Sequence, residues 1–147
     1  MSLTPLSALS PVDGRYASRC AELRELFSES GLIRARVRVE IAWLHALAGP
    51  SGLPEMQGLT AADLAAADQV AAHFGARDAT EVKTIERETN HDVKAVEYFI
   101  KRRLETQSRW RSRLEFVHFA CTSEDINNIA YGLMCRDARN TVLLPRL

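Results

Sequence analysis

The sequence predicts an all-α chain, on three observations: apolar residues recur at three-to-four spacing, hydroxyl–acid signatures precede several of these runs, and no stretch alternates apolar and polar residues as a half-buried strand would. The first segment to place is Val12-Asp13-Gly14-Arg15-Tyr16, where Asp-Gly suits a tight hairpin turn, but the flanks are too short and it reads as an extended arm. Leu23, Leu26 and Phe27 mark a short helix. From Gly31 to Ala48, Ile33, Val37, Ile41, Leu44 and Leu47 fall on one helix face, and Gly49-Pro50-Ser51-Gly52 stops the run. Val39 and Trp43 widen that stripe, so this helix is expected to be covered on more than one side. Thr60 and Asp63 form a capping-box signature that opens an Ala-rich helix through Leu64, Val70 and Phe74 to Gly75.

Residues 80–87 read as one or two helical turns carrying Val82 and Ile85. After Thr89-Asn90-His91-Asp92 comes a helix with Val93, Val96, Ile100 and Leu104 on one face, ended by Thr106-Gln107-Ser108. A helix from about Arg111 to Ala120 would turn Leu114, Val117 and Phe119 inward. The last begins at Thr122/Ser123 and runs through Ile129, Leu133 and Met134 toward Leu143. Its apolar face has no later segment to cover it, so a missing segment or a partner is expected there. The polar, Arg-rich stretch at 106–112 is the expected boundary between two packed units, 1–111 and 112–147.

Composition narrows the function. Hydrophobic residues at 46% suffice for a core of moderate size, and Lys plus Arg equals Asp plus Glu at 19 each, so no broad basic field would draw nucleic acid or an anionic membrane. The opening M-S-L-T-P-L-S-A-L-S-P has neither a basic nor a continuous apolar leader region, and no window approaches the ~18 apolar residues of a membrane span. A cytoplasmic protein is expected. Cys20, Cys121 and Cys135 lack C-x-x-C spacing, and His45, His73, His91 and His118 do not cluster, so neither a disulfide framework nor a protein-bound metal is expected.

Three polar clusters stand out: Asp13-Gly14-Arg15-Tyr16, Thr89-Asn90-His91-Asp92 and Thr122-Ser123-Glu124-Asp125. The last two are Thr-x-x-Asp before an apolar helix, which reads plainly as a capping box. A cap needs one hydroxyl and one acid, however, and here Asn90, His91, Ser123, Glu124, Asn127 and Asn128 are surplus. Two helix N-termini brought together, with free N–H groups and the positive ends of their dipoles, would receive a carboxylate or phosphate. The residues alone leave His91 open between a proton-exchanging imidazole beside Asp92 and a solvent-exposed first-turn side chain. Likewise Arg15-Tyr16 fits a phosphate clamp or an ordinary surface pair. His118 and His45 lie in apolar runs and read as satisfied core or interface histidines, and His73 as a surface residue.

S-P-V-D-G-R-Y at 10–16, K-T-I-E-R-E-T-N-H-D-V-K-A-V-E-Y at 83–98 and H-F-A-C-T-S-E-D-I-N-N at 118–128 closely resemble the bacterial form of the adenylosuccinate lyase family, in register from about residue 8 onward. The resemblance implies the fumarase/aspartase superfamily: a small helical N-terminal domain, a long-helix bundle and a C-terminal helical domain, in homotetramers whose active sites draw on several subunits. On that basis 1–111 is the N-terminal helical domain and 112–147 the truncated start of the bundle. The implied reaction is β-elimination of fumarate from adenylosuccinate, giving AMP, and from the succinylated carboxamide ribotide SAICAR, giving AICAR, with no metal and no organic cofactor. By the same resemblance Arg15 and Tyr16 hold the nucleotide phosphate, Asn90, His91 and Asp92 form the substrate-binding turn, and Thr122 and Ser123 bind the succinyl part. His91 is assigned to substrate binding with a secondary proton role, because the family's proton donor is another histidine. The family's Thr-His region and its Gly-Ser-Ser-x-Met-Pro-x-Lys-x-Asn mobile loop do not occur here, so the chain is expected to be an N-terminal fragment, inactive by itself. The alternatives are an argininosuccinate-type lyase, against which D-G-R-Y and N-H-D-V-K-A-V-E-Y speak, and a non-catalytic helical interaction domain.

Overall fold

Six α-helices succeed one another in the computed structural model, which describes residues 4–147: α1 (Ala21–Phe27), α2 (Glu29–Ala48), α3 (Ala61–Ala72), α4 (Ala76–Thr89), α5 (Asp92–Leu104) and α6 (Ser123–Ala138). Met1-Ser2-Leu3, part of the stretch read above for a leader, lies outside the described residues. Short 3₁₀ turns at Pro54–Met56, Arg111–Phe116 and Leu144–Arg146 and a π turn at Arg139–Leu143 complete the order, and there is no strand among the described residues. None of the described helices is long and apolar enough to cross a membrane.

The architecture follows from α2. Ser28 caps it, its hydroxyl accepting the Gly31 N–H at 3.2 Å. Gly31 lies where any Cβ would collide with the Leu26 carbonyl, which lets α1 fold back tightly onto α2. Ile33, Val37, Ile41 and Leu44 are buried in the main core with Val82 and Ile85 of α4, and Val96, Phe99 and Ile100 of α5. Each such side chain contributes about 1.5–3 kcal/mol of burial. Ala35 and Val39 lie in a second cluster, with Val93 of α5 and Ile126, Ala130 and Met134 of α6. The helix is therefore covered on more than one side, as its widened stripe implies. Trp110 closes the main core from below α3, fully buried, its indole N–H donated to the Asp63 carbonyl at 2.9 Å.

Four expectations are corrected. α4 runs for 14 residues rather than one or two turns. Its buried stripe is Ala79, Val82 and Ile85, and its first turns also make polar contacts, Gly75 N–H to Asp78 at 2.9 Å and Arg103 to Asp78 and Glu81 at 2.9 and 2.6 Å. The segment at 111–120 is a 3₁₀ turn and then a bend, because His118 and Ala120 take φ of 64° and 59° and cannot continue a helix. Val117 is buried there, but Phe119 is turned outward. The arm at 12–16 is not extended; it is wound into successive turns by Gly14 N–H to Ser10 O (3.0 Å), Tyr16 N–H to Pro11 O (2.9 Å) and Cys20 N–H to Tyr16 O (3.2 Å). Finally, α6 buries Ile126, Ala130, Met134 and Ala138, so α2 itself supplies much of its cover, while Ile129, Tyr131, Leu143 and Leu144 remain exposed.

Candidate functional site

The α4–α5 junction holds the second predicted cluster, Thr89-Asn90-His91-Asp92, built differently from a capping box. Thr89 ends α4, and its hydroxyl donates back to the Ile85 carbonyl at 3.1 Å. Asn90 is the left-handed C-cap of α4 (φ 52°, ψ 33°), a conformation Asn accepts at lower cost than most residues. His91, in extended backbone, is the N-cap of α5, and its Nδ1 accepts the Lys94 N–H at 3.1 Å. That acceptor role puts the proton of the neutral ring on Nε2. Asp92 does little to orient His91, whose Nδ1 is 3.8 Å away. Its Oδ1 accepts the Val93 N–H at 2.8 Å and its Oδ2 the Arg36 guanidinium at 2.7 Å. Burial acts to raise the Asp92 pKa, but the Val93 N–H and Arg36 together hold it below the ordinary aspartate value. Lys83, Arg87, Asn90, His91 and Asp92 line an open cleft of about 510 Å³, in which Lys83 is paired to Glu29 and Glu86.

The start of α6 is the reciprocal capping box that its sequence announces. Thr122 Oγ1 accepts the Asp125 N–H at 3.2 Å, and Asp125 Oδ2 accepts the Thr122 N–H at 2.7 Å. The Thr122 N–H and hydroxyl hold the Asp125 carboxyl below its usual range. Ser123, half-buried in the first turn, stands outside this exchange. The surplus groups close on one another: Asn128 donates to Glu124 Oε1 at 3.1 Å.

Arg36 joins the two clusters. It is 4% exposed, with Nε–H donated to Asn127 Oδ1 at 2.9 Å and Nη2 to Asp92 at 2.7 Å. The start of α5 and the second turn of α6 are thus tied to one guanidinium, and the same two helices share the second buried cluster through Val93 and Ile126. Of the 89–92 cluster, Asp92 is tied to α6, through Arg36 to Asn127 in its second turn, whereas Asn90 and His91 make no hydrogen bond or ion pair to α6 among the described residues. Nor are Arg15 and Tyr16 tied to α6: the Arg15 guanidinium lies 4.8 Å over the Tyr16 ring, the arm meets α1 through Asp13 and Arg24 at 3.7 Å, and among the described residues no hydrogen bond or ion pair joins Arg15 or Tyr16 to either cluster. Motif reading does not single out Arg36. The available signal is an ionisable pair, Arg36 and Glu40, one turn apart in a helix expected to be covered on several sides. Of the other histidines, His118 is satisfied by Glu40 at 2.6 Å, His45 bridges α2 to Asp68 of α3 at 2.8 Å, and His73 is exposed at the end of α3.

Chemically, the two helix starts carry the Ser123 hydroxyl and the His91 imidazole beside the Asp92, Glu124 and Asp125 carboxylates, with Arg36 already paired to Asp92 and Asn127, and the free N–H groups of a helix N-terminus suit an anionic ligand. The sequence model of a protein family described as Lyase matches residues 14–147. The chain is 49% identical over all 147 residues to a Vibrio cholerae protein named adenylosuccinate lyase, and 48% identical over 145 residues, 99% of its length, to the Escherichia coli K12 protein of that name. A Legionella pneumophila (strain Corby) protein of the same name is 42% identical over 147 residues. In each case the chain spans about a third, 32%, of the relative's own length.

Proposed function

Because the chain belongs to this lyase family, matched from residue 14 to residue 147, we propose that it supplies nucleotide- and succinyl-binding turns to an adenylosuccinate lyase. The reading is that the whole enzyme eliminates fumarate from adenylosuccinate, giving AMP, and from SAICAR, giving AICAR, as a cytoplasmic homotetramer of purine biosynthesis that uses no metal or organic cofactor. The observation that carries it is 49% identity across the full chain to a protein of that name. The exposed Ile129, Tyr131, Leu143 and Leu144 support assembly with further helices.

In this reading elimination removes a proton next to a carboxylate, and the negative charge that builds there is stabilised by donors fixed in advance, which is where Thr122, Ser123 and the α6 N-terminus act. Asn90, His91 and Asp92 form the substrate turn, with Asp92 held ionised by Arg36. His91, its Nδ1 engaged by Lys94, has Nε2–H to donate. Arg15 and Tyr16 hold the phosphate, reaching the site in the assembled enzyme. Residues 1–111 form the N-terminal domain and 112–147 the start of a helical bundle, a division supported by the exposed connection at Thr106–Arg109.

The test is a transplant. Residues 1–147 replace the matching segment of the Vibrio cholerae relative, and loss of adenylosuccinate is followed by absorbance. We expect turnover, lowered by about 10²-fold or more in Ser123→Ala and at least about ten-fold in His91→Ala. A folded chimera without turnover, or with full rates in both variants, overturns the reading. The 147-residue chain assayed alone should show no turnover above background.

A further inference from the structure

Glu40 of α2 is fully buried, yet only one of its oxygens is satisfied: Oε1 lies 2.6 Å from His118 Nδ1, while Oε2 has no hydrogen-bond partner. A buried, half-satisfied carboxyl is costly unless it secures something else. What it touches is an unusual piece of backbone. His118 and Ala120 both take left-handed φ, 64° and 59°, and neither is glycine or asparagine. One turn along α2 from Glu40, Trp43 donates its indole N–H to the Phe119 carbonyl at 2.8 Å. Buried Val117 anchors the same bend, and Cys121 N–H returns to the His118 carbonyl at 3.3 Å. The bend at 117–121 is thus held to α2 at His118 and Phe119, and it leads straight into Thr122 and Ser123.

We propose that Glu40 is a positioning residue: acting through His118, it holds the 117–121 bend in its left-handed form and so fixes Thr122 and Ser123 at the head of α6. Its bearing on catalysis rests on the reading that these two residues bind the succinyl part of the substrate. One hydrogen lies between Glu40 and His118 whichever group carries it, so what the bend requires at position 118 is a polar partner for Glu40 on a residue that tolerates positive φ. Asparagine meets both needs: its amide N–H can replace Nδ1–H, and it enters the left-handed region readily. Gln at position 40 keeps an acceptor in place of Oε1.

Two readouts decide this. In the 147-residue chain, amide hydrogen exchange at Ser123–Asp125 should be at least about ten-fold faster in Glu40→Ala and His118→Ala, with the Thr60-capped first turn of α3 unchanged and both His118→Asn and Glu40→Gln close to the unsubstituted chain. In the chimera, the same alanine substitutions should lower kcat/KM for adenylosuccinate at least about ten-fold, while inhibition by AMP, which lacks the succinyl part, shifts by less than about three-fold. Faster exchange spread evenly over all helices, or a His118→Asn variant as impaired as His118→Ala, overturns the proposal. If Glu40→Ala does not fold, the contrast between His118→Asn and His118→Ala still decides it. A chimera without turnover would count against the lyase reading, and the exchange data would then judge the positioning role independently.

Discussion

Asn90 carries two demands at one residue: it must turn left-handed to end α4, and in the proposed site it must offer its carboxamide to substrate. The two separate by substitution. Asn90→Gly should leave the urea midpoint of the chain nearly unchanged, whereas Asn90→Val should cost about 1–2 kcal/mol, since a β-branched side chain is strained at φ 52°. Activity of the chimera should fall in both. The neighbouring His91 shows what motif reading can and cannot deliver. Its membership of a polar cluster is plain from T-N-H-D, but its role as the cap of α5 is not, because Thr-x-x-Asp has the spacing of a capping box and nothing in the spacing reveals that Thr89 bonds backward into α4. The left-handed residues His118 and Ala120 are equally hidden, since Ala does not signal positive φ and His, though enriched there, adopts it in only a small share of cases.

At the scale of the element, the helices whose caps matched their sequence signatures are α3 and α6, each with a reciprocal Thr–Asp box. Both acids, Asp63 through the Thr60 hydroxyl and N–H and Asp125 through the Thr122 N–H and hydroxyl, have folded-state pKa values below the ordinary aspartate value of about 3.9. A depressed carboxylate contributes stability that is fully present above the unfolded pKa and is lost as pH falls through the folded one. Stability should therefore fall as pH drops from about 5 to below 3, and Asp63→Asn with Asp125→Asn should flatten that acid limb in circular-dichroism melts without changing its form near neutrality. An equally steep limb in the double variant would show that other groups govern it. The caps, the stop after Ala48 and the apolar stripes of α2 and α5 are legible because they are local. α4 is less so, because its buried stripe is short, Ala79, Val82 and Ile85, and the polar residues of its first turns find their partner, Arg103, on another helix.

At the scale of the whole molecule, α2 works as an axle with different neighbours on its sides, and Arg36 is where two of them meet. Removing its guanidinium takes away the donor to Asp92 Oδ2 and to Asn127 Oδ1, while Asp92 Oδ1 keeps the Val93 N–H. Because Asp92 is about half exposed, water recovers part of the loss, so Arg36→Met should cost roughly 1–3 kcal/mol rather than the larger penalty of a fully buried pair. Hydrogen exchange should quicken in the first turns of both α5 and α6, and quickening confined to one of them would refute the shared anchor. This long-range juxtaposition could not be read from sequence, in which the two clusters are some thirty residues apart and the residue uniting them lies upstream of both.

The Arg36 anchor also sets a timetable. Its two bonds span 56 and 91 residues along the chain, so neither can form while the polypeptide is only locally ordered. During synthesis the Asp92 arm is available first, and the guanidinium stays half-engaged until Asn127 has emerged and α6 has docked. The meeting of the two turns therefore waits on α6, and a chain released before that point would leave Ala35, Val39 and Val93 without Ile126, Ala130 and Met134 over them and the guanidinium without its Asn127 partner.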